Sequence, residues 1–396
     1  SGQLGPDGLA GDAVKDAMEL CVSCKGCKRE CPTGVDMAKM KIEFLHHYKK
    51  RHGFSLHDKL VAYLPHYAPF APLFAWTMNL REWIPGAALL GEKLTGFSAR
   101  RKLPKWRRPL LSSVGTARWQ KAMRAARADG SEAYFGKERD VVLWVDTFTN
   151  YFEGPSRHFP GISAEAAAIV LHKAGYNVDL VSGATGERPL CCGRTFLATG
   201  MVDEAKKEAR RTLAALGQYV ERGVPIIGLE PSCLLALRDE FKTMLPGEET
   251  DRLAERAFLF EEFLVAEKQA GRFDPARLEL QPIKAGSALL HGHCHQKAFG
   301  AMSAVEEVLS WVPGLKTRTV ESSCCGMAGA FGYEAGHFDV SMAMGNLSLL
   351  PAVRAADAET LIVADGTSCR HQIADGAERE AVHVAVVLAQ ALVQIG

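Results

Sequence analysis

The sequence has almost no charge imbalance. Its 47 basic and 46 acidic residues leave a net charge of +1, which gives no electrostatic reason to expect nucleic acid as a partner, since that requires a basic face. It lacks an apolar run of the roughly 18 residues needed to cross a bilayer, and no secretory signal opens it. It does not begin with Met but with Ser1, so the chain is expected to be excised from something longer or processed. What it has is size, 396 residues with 47% hydrophobic content, enough for two or three domains with substantial cores. It also has eleven cysteines. Without a secretory context these point to a reducing, cytoplasmic setting and to metal or redox use rather than a disulfide framework.

Two of the cysteines are adjacent, in Ser322-Ser323-Cys324-Cys325-Gly326-Met327-Ala328-Gly329. Packing alone never requires two thiols in succession followed by glycine. Cys294 precedes them and Cys369 follows. Residues 288–290 and 361–363 are short apolar runs that read as buried parallel strands, and Cys294 and Cys369 lie just beyond their C-terminal ends. Ligands of open α/β sheets collect there, and four soft thiolates select zinc, Cu(I) or an iron-sulfur cluster.

The layout occurs twice. Cys191-Cys192-Gly193 stands 133 positions before Cys324-Cys325-Gly326, and Cys233 stands 136 before Cys369. Strand candidates at 141–144 and 226–229 match those at 288–290 and 361–363. The copies differ at one place: where the second has Cys294, the first reads Val145-Asp146-Thr147-Phe148. The first copy is therefore expected to hold no cluster, with Cys191, Cys192 and Cys233 as buried small residues; a zinc site completed by Asp146 or Glu230 is the alternative. Helices are expected at 164–174, 202–222, 304–311 and 338–352, further strands at 178–181 and 316–320, and a helical connector at 252–271.

Near the start, Cys21-x2-Cys24-x2-Cys27-x3-Cys31-Pro32 has the spacing of a bacterial ferredoxin run, in which three close thiolates hold one face of a [4Fe-4S] cube. A helix follows at 35–51. Pro65, Pro69, Pro72 and Pro85 then cut an aromatic-rich stretch into short helices. That stretch reads as a brace packed on its neighbour, with a quinone or membrane contact through Phe70, Phe74, Trp76 and Trp83 as the alternative. The basic run 100–108 reads as a solvated linker. One competing site lies in His291-Gly292-His293-Cys294-His295, whose imidazoles could bind hydrolytic zinc; no carboxylate lies within the segment to act as base.

These motifs resemble a known family. Paired Cys-Cys-Gly motifs, with a cysteine before and another after, resemble the cysteine-rich (CCG) domains of heterodisulfide reductase B and glycolate oxidase iron-sulfur subunits. The ferredoxin-like run followed by two such repeats is similar to the C-terminal part of FAD-linked oxidases of the D-2-hydroxyglutarate or D-lactate dehydrogenase type. The resemblance implies an α/β fold with two open, mostly parallel-sheet CCG domains after a helical ferredoxin-like segment and brace. Its expected bounds are 1–50 for the ferredoxin-like segment, 51–138 for the brace, 139–275 for the first CCG repeat and 276–396 for the second. It implies [4Fe-4S] clusters on Cys21, Cys24, Cys27 and Cys31, and on Cys294, Cys324, Cys325 and Cys369, with His293, His295 and Lys297 as surrounding donors.

The resemblance further implies FAD in a missing N-terminal part, a flavin domain as covalent or subunit partner, and an acceptor such as a quinone. The expected location is cytoplasmic, with attachment to the inner membrane face as a second placement. No catalytic residue is assigned. The rival functions are a heterodisulfide-reductase-like enzyme and a zinc-binding structural module. By the ferredoxin pattern Cys31 serves a sister run, which in the family lies upstream. Residues 21–31 are therefore expected to carry a labile, partly occupied or absent cluster.

Overall fold

A computed structural model describes residues 8–76, 81, 83–109, 137–181 and 188–392. Among the described residues, eight strands form two sheets of identical topology. The first comprises β1 (Asp140–Trp144), β2 (Asn177–Val181), β3 (Ile226–Gly228) and β4 (Ala257–Leu259), in the order β2-β1-β3-β4. The second comprises β5 (Ser287–Leu290), β6 (Lys316–Thr319), β7 (Leu361–Val363) and β8 (Ala381–Val382), in the order β6-β5-β7-β8. All pairings are parallel, with Leu143 opposite Ile227 and Leu289 opposite Ile362. The central strands are buried on both faces, which is why they read as unbroken apolar runs rather than alternating ones.

In each sheet the chain leaves the first strand to one side and returns to its other side. That reversal opens a crevice between β1 and β3, and another between β5 and β7. The sheets share one core, in which Val141 and Leu143 meet Ala288, Leu290 and Val363 through intervening helices. Helices Ser163–Lys173 and Val384–Leu392 pack on each other there. Ala164, Ala167, Ala168, Ala385 and Ala389 are fully buried, small enough to bring the two copies close.

The structure corrects some expectations. The expected connector at 252–271 contains β4, and β8 was not foreseen; strands of three and two residues lie below what periodicity resolves. The expected helix at 338–352 is broken at Ser348 into Phe338–Leu347 and Leu349–Ala355. The basic run is not all solvated either. Arg101 is 2% exposed, and its guanidinium donates to Gly332 O at 2.9 Å, Ser341 Oγ at 2.9 Å and Asp375 Oδ2 at 2.6 Å. The brace is thereby anchored to the second copy. Phe70, Trp76 and Trp83, by contrast, are exposed.

A second anchor joins His57 to the same part of that copy, two residues from Gly332. Its Nε2 lies 3.3 Å from Glu334 Oε1, and His337 Nδ1 lies 2.7 Å from Glu334 Oε2. Burial would raise the Glu334 carboxyl, but the His337 and His57 imidazoles beside it outweigh that and hold it at about 2. Burial likewise opposes the charge on His57, and Glu334 overcomes it, so the imidazole titrates above its ordinary 6.5. The sign follows from linkage. The carboxylate contribution is complete above the ordinary value of 4.5 and is lost as pH falls towards 2. The imidazole contribution is complete below 6.5 and is lost as pH rises through its raised value. Glu334→Gln should therefore lower the melting temperature most between those two ordinary values and progressively less on either side. Thermal melts of both proteins across pH check this.

Candidate metal centre

The four cysteines of the second copy come from three segments that end at one crevice. Cys294 opens helix Cys294–Ala298 directly after β5, and Cys369 lies in the first turn of helix Thr367–Ala377 after β7. Cys324 and Cys325 follow β6 on a turn that requires glycine: Gly326 has φ of +89°, and a Cβ there would overlap the Ser341 carbonyl oxygen. Gly326→Ala should destabilise the protein by on the order of 3 kcal/mol, combining left-handed strain with overpacking. A denaturant titration measures it, and a change below about 0.5 kcal/mol would show that the turn needs no glycine.

The thiols form a chain of contacts, Cys294 to Cys324, Cys324 to Cys325, and Cys325 to Cys369. The hydrogen bond to Cys324, with burial, pushes the Cys294 thiol well above its ordinary value. Cys324, Cys325 and Cys369 are all buried. Such a set is neutral when empty and becomes anionic only against a metal's positive charge.

His291, Cys325 and Cys369 bring their ligand atoms within 4.8 Å of one another, the one such group of three among the described residues. The sequence offered His291 only as a member of the competing hydrolase site, and its position one residue past β5 was the available signal. The predicted donors are placed differently. Lys297 Nζ binds the carbonyl oxygens of Ser322 and Ser323, the latter at 3.1 Å, within electrostatic reach of all four thiols. Burial lowers its pKa, and those sulfurs oppose the shift. His293 caps its helix through Nδ1, which accepts from His295 N at 3.1 Å, and its Nε2 lies 3.9 Å from Glu230 Oε1. Its ring and the Cys369 sulfur both crowd Gly366, where no side chain fits. His295 Nε2 meets Ser23 O at 3.1 Å.

That last contact docks the ferredoxin-like loop. Ser23 and Lys25 adopt left-handed φ of 52° and 61°, uncommon for residues with a Cβ, and curl the loop so that Cys24 is within electrostatic reach of Cys21, Cys27 and Cys294. Cys24 also packs on the apolar cluster around Cys324, Cys325 and Cys369. Cys31 stands apart. Its Sγ is 3.0 Å from Thr33 Oγ1, and that hydroxyl brings the thiol down to about 7. The loop is held by Lys25, 1% exposed, whose ammonium lies 2.5 Å from Asp239 Oδ2, 3.0 Å from Glu240 Oε1 and 3.6 Å from Asp36 Oδ2.

In the first copy Cys192 and Cys233 are 3.1 Å apart sulfur to sulfur, with the Cys191 thiol hydrogen-bonded to Cys192. Both nearby carboxylates are held by hydrogen bonds. Asp146 accepts from Phe148 N, Thr149 N and Thr149 Oγ1, while Glu230 accepts from Ser232 N, Ser232 Oγ and Thr367 N. Burial, reinforced by Glu230, raises the Asp146 carboxyl to about 7. Arg194 bridges the copies: its guanidinium lies 2.9 Å from Glu240 Oε1 and within electrostatic reach of Cys192, Cys233 and Cys294.

Comparison with known proteins agrees with this geometry. The cysteine-rich CCG domain matches residues 163–238 and 288–374, one match per sheet. D-2-hydroxyglutarate dehydrogenase of Escherichia coli (strain K12) is 28% identical over 364 residues, covering 91% of this chain and 33% of the relative. The Pseudomonas putida (strain KT2440) enzyme of the same name is 29% identical over 383 residues, covering 95% and 34%. A subunit of the anaerobic glycerol-3-phosphate dehydrogenase of Escherichia coli (strain K12) is 28% identical over 326 residues, covering 82% and 73%. The chain thus spans about a third of the length of the D-2-hydroxyglutarate dehydrogenases it matches. The chain thus carries two matches to the CCG cysteine-rich domain, one for each sheet and its paired-cysteine turn, and is similar to D-2-hydroxyglutarate dehydrogenase and to a subunit of anaerobic glycerol-3-phosphate dehydrogenase.

Proposed function

We propose that this chain is the iron-sulfur, electron-transferring part of a flavin-linked dehydrogenase acting on a D-2-hydroxy acid such as D-2-hydroxyglutarate, D-lactate or glycolate. The observation that carries it is the convergence of four thiols from three segments at the crevice between β5 and β7, with the Cys24 loop against it. The donor set fits the group: four sulfurs, three of them buried, with the Lys297 ammonium within electrostatic reach of all four to offset negative charge. Cys294, Cys324, Cys325 and Cys369 would hold one [4Fe-4S] cluster, and Cys21, Cys24 and Cys27 one face of another. Such clusters supply one-electron transfer. The chain's own residues keep water out of the crevice, hold the ligand turn through Lys297, and set the two cysteine groups side by side.

The remaining assignments rest on this reading. The FAD would belong to a partner, upstream in the same polypeptide or on another subunit, and the electrons would go to a quinone or other carrier. The glycerol-3-phosphate dehydrogenase relative is by its name one subunit of that enzyme, which supports a multi-part assembly. The exposed Phe70, Trp76 and Trp83 supply apolar surface for such a partner. The setting would be cytoplasmic; no described helix is long and apolar enough to cross a membrane. The first copy would hold no cluster, since Thr147 stands where the fourth thiolate is needed. The run at 21–31 would hold a labile cluster, with Cys31 facing away to serve an upstream one.

Iron and acid-labile sulfide after anaerobic purification, with visible and EPR spectra, test the reading. A brown protein with both is expected. A colourless protein containing zinc and no sulfide would overturn it, and disulfide reduction by the isolated chain would favour the heterodisulfide-reductase alternative.

A further inference from the structure

His291 is 1% exposed and belongs to no element of the assignments above. Its Nδ1 lies 2.9 Å from Ser322 Oγ, and the same oxygen lies 3.2 Å from Lys297 Nζ. An ammonium only donates, so Ser322 Oγ accepts from Lys297 and can pass its own hydrogen to His291 Nδ1. The ring hydrogen is then on Nε2. That atom is buried without a hydrogen-bond partner, an expensive arrangement unless something absent from the free chain completes it. The imidazole lies beside the Cys325 and Cys369 sulfurs, with a ring nitrogen and both sulfurs within 4.8 Å of one another.

The first copy supplies a comparison inside the molecule. Asp146 caps the helix after β1 as His293 caps the helix after β5. Two residues earlier, where the second copy has His291, the first has Trp144, and one residue past the cap Thr147 stands for Cys294. The copy without the fourth thiolate is also the copy without the imidazole.

We propose that His291, oriented by the Lys297–Ser322 relay, donates Nε2–H to the thiolate sulfurs of Cys325 and Cys369 when they carry their metal group, and so stabilises its reduced form. This rests on the iron-sulfur reading above. A hydrogen bond to a ligand sulfur withdraws electron density and favours the state with one more electron. His291 is a positioning and tuning residue here, with the four thiolates as ligands.

The test compares wild type with His291→Leu, His291→Gln and Ser322→Ala, measuring iron per chain and midpoint potential by EPR-monitored redox titration. Iron should stay at the wild-type level in all variants. In His291→Leu the ratio of reduced to oxidised site at fixed potential should fall about tenfold, or 59 mV for one electron. His291→Gln, whose amide nitrogen reaches the Nε2 position, should recover most of that change, and Ser322→Ala should show a smaller shift of the same sign. Should His291→Leu fail to fold, an unchanged potential in Ser322→Ala overturns the proposal, as does an unchanged potential in a folded His291→Leu with full iron. Iron loss in both His291→Leu and His291→Gln would make the imidazole a ligand and also overturn it. A wild-type chain without iron overturns the underlying reading itself.

Discussion

Cys325→Ser should remove the metal group of the second copy outright. Cys325 touches both Cys324 and Cys369, lies in the group with His291, and is 3% exposed. A serine hydroxyl is a hard, weakly acidic donor that does not replace a soft thiolate. Its loss leaves three thiolates around a group that needs four. The expected result is a decrease of about four iron atoms per chain, with loss of the corresponding visible and EPR signals. Electron delivery to an artificial acceptor should fall by at least about a hundredfold, the upper end of what even outer-shell changes cost at metal sites. The fold should survive, because the replacement is nearly isosteric and the surrounding cluster, with Leu289, Ile362, Leu349 and Val353, is otherwise kept. Iron counts equal to wild type would show that Cys325 is no ligand.

Lys25→Met should detach the ferredoxin-like loop from the first copy. The substitution keeps length and apolar bulk but removes a buried cation from among Asp239, Glu240 and Asp36. Breaking such a buried network leaves carboxylates without compensation and costs on the order of 3 kcal/mol. Lys28 and Lys39, which lie 3.0 and 2.6 Å from Asp239 Oδ1, soften the loss because both are partly exposed. The left-handed φ of Lys25 gives Met no compensating gain. The loop should become susceptible to protease near residues 21–31 while the two sheets remain protected. Acid sensitivity adds a second readout. Burial alone would raise the Asp239 carboxyl, but hydrogen bonds from Lys25 and Lys39 hold it well below the usual range. Its contribution is thus full above the ordinary carboxylate pKa of about 4 and is lost as pH falls below that. In Lys25→Met that acid-side slope should flatten. Proteolysis and acid melts indistinguishable from wild type would rule out the latch.

Much of the α/β layering was legible because buried parallel strands leave continuous apolar runs: 141–144, 226–229, 288–290 and 361–363 all fall on β1, β3, β5 and β7. The internal repeat was legible in its cysteine spacing, and the sheets repeat the same order. β4 and β8 were not, since Ala257-Phe258-Leu259 and Ala381-Val382 are too short to carry a period and lie next to helices. Arg101 was misplaced for a different reason. A charge in a basic run looks solvated until its partners are known, and Gly332, Ser341 and Asp375 lie more than 230 residues away in sequence.

By itself the sequence determined the chemistry on offer: soft thiolates in two spacings, a turn that only Gly326 permits, and a first copy lacking one thiol. Covalent order and residue type suffice for that, because ligand softness and backbone freedom are local properties. Only the tertiary structure decided which groups meet. It turned His295 to Ser23 and His291 towards Cys325 and Cys369, buried Lys25 against Asp239, and set Arg194 between the two cysteine groups. Those contacts join residues far apart in the chain, and they are selected by the burial of two sheets against a shared core, which no local pattern encodes.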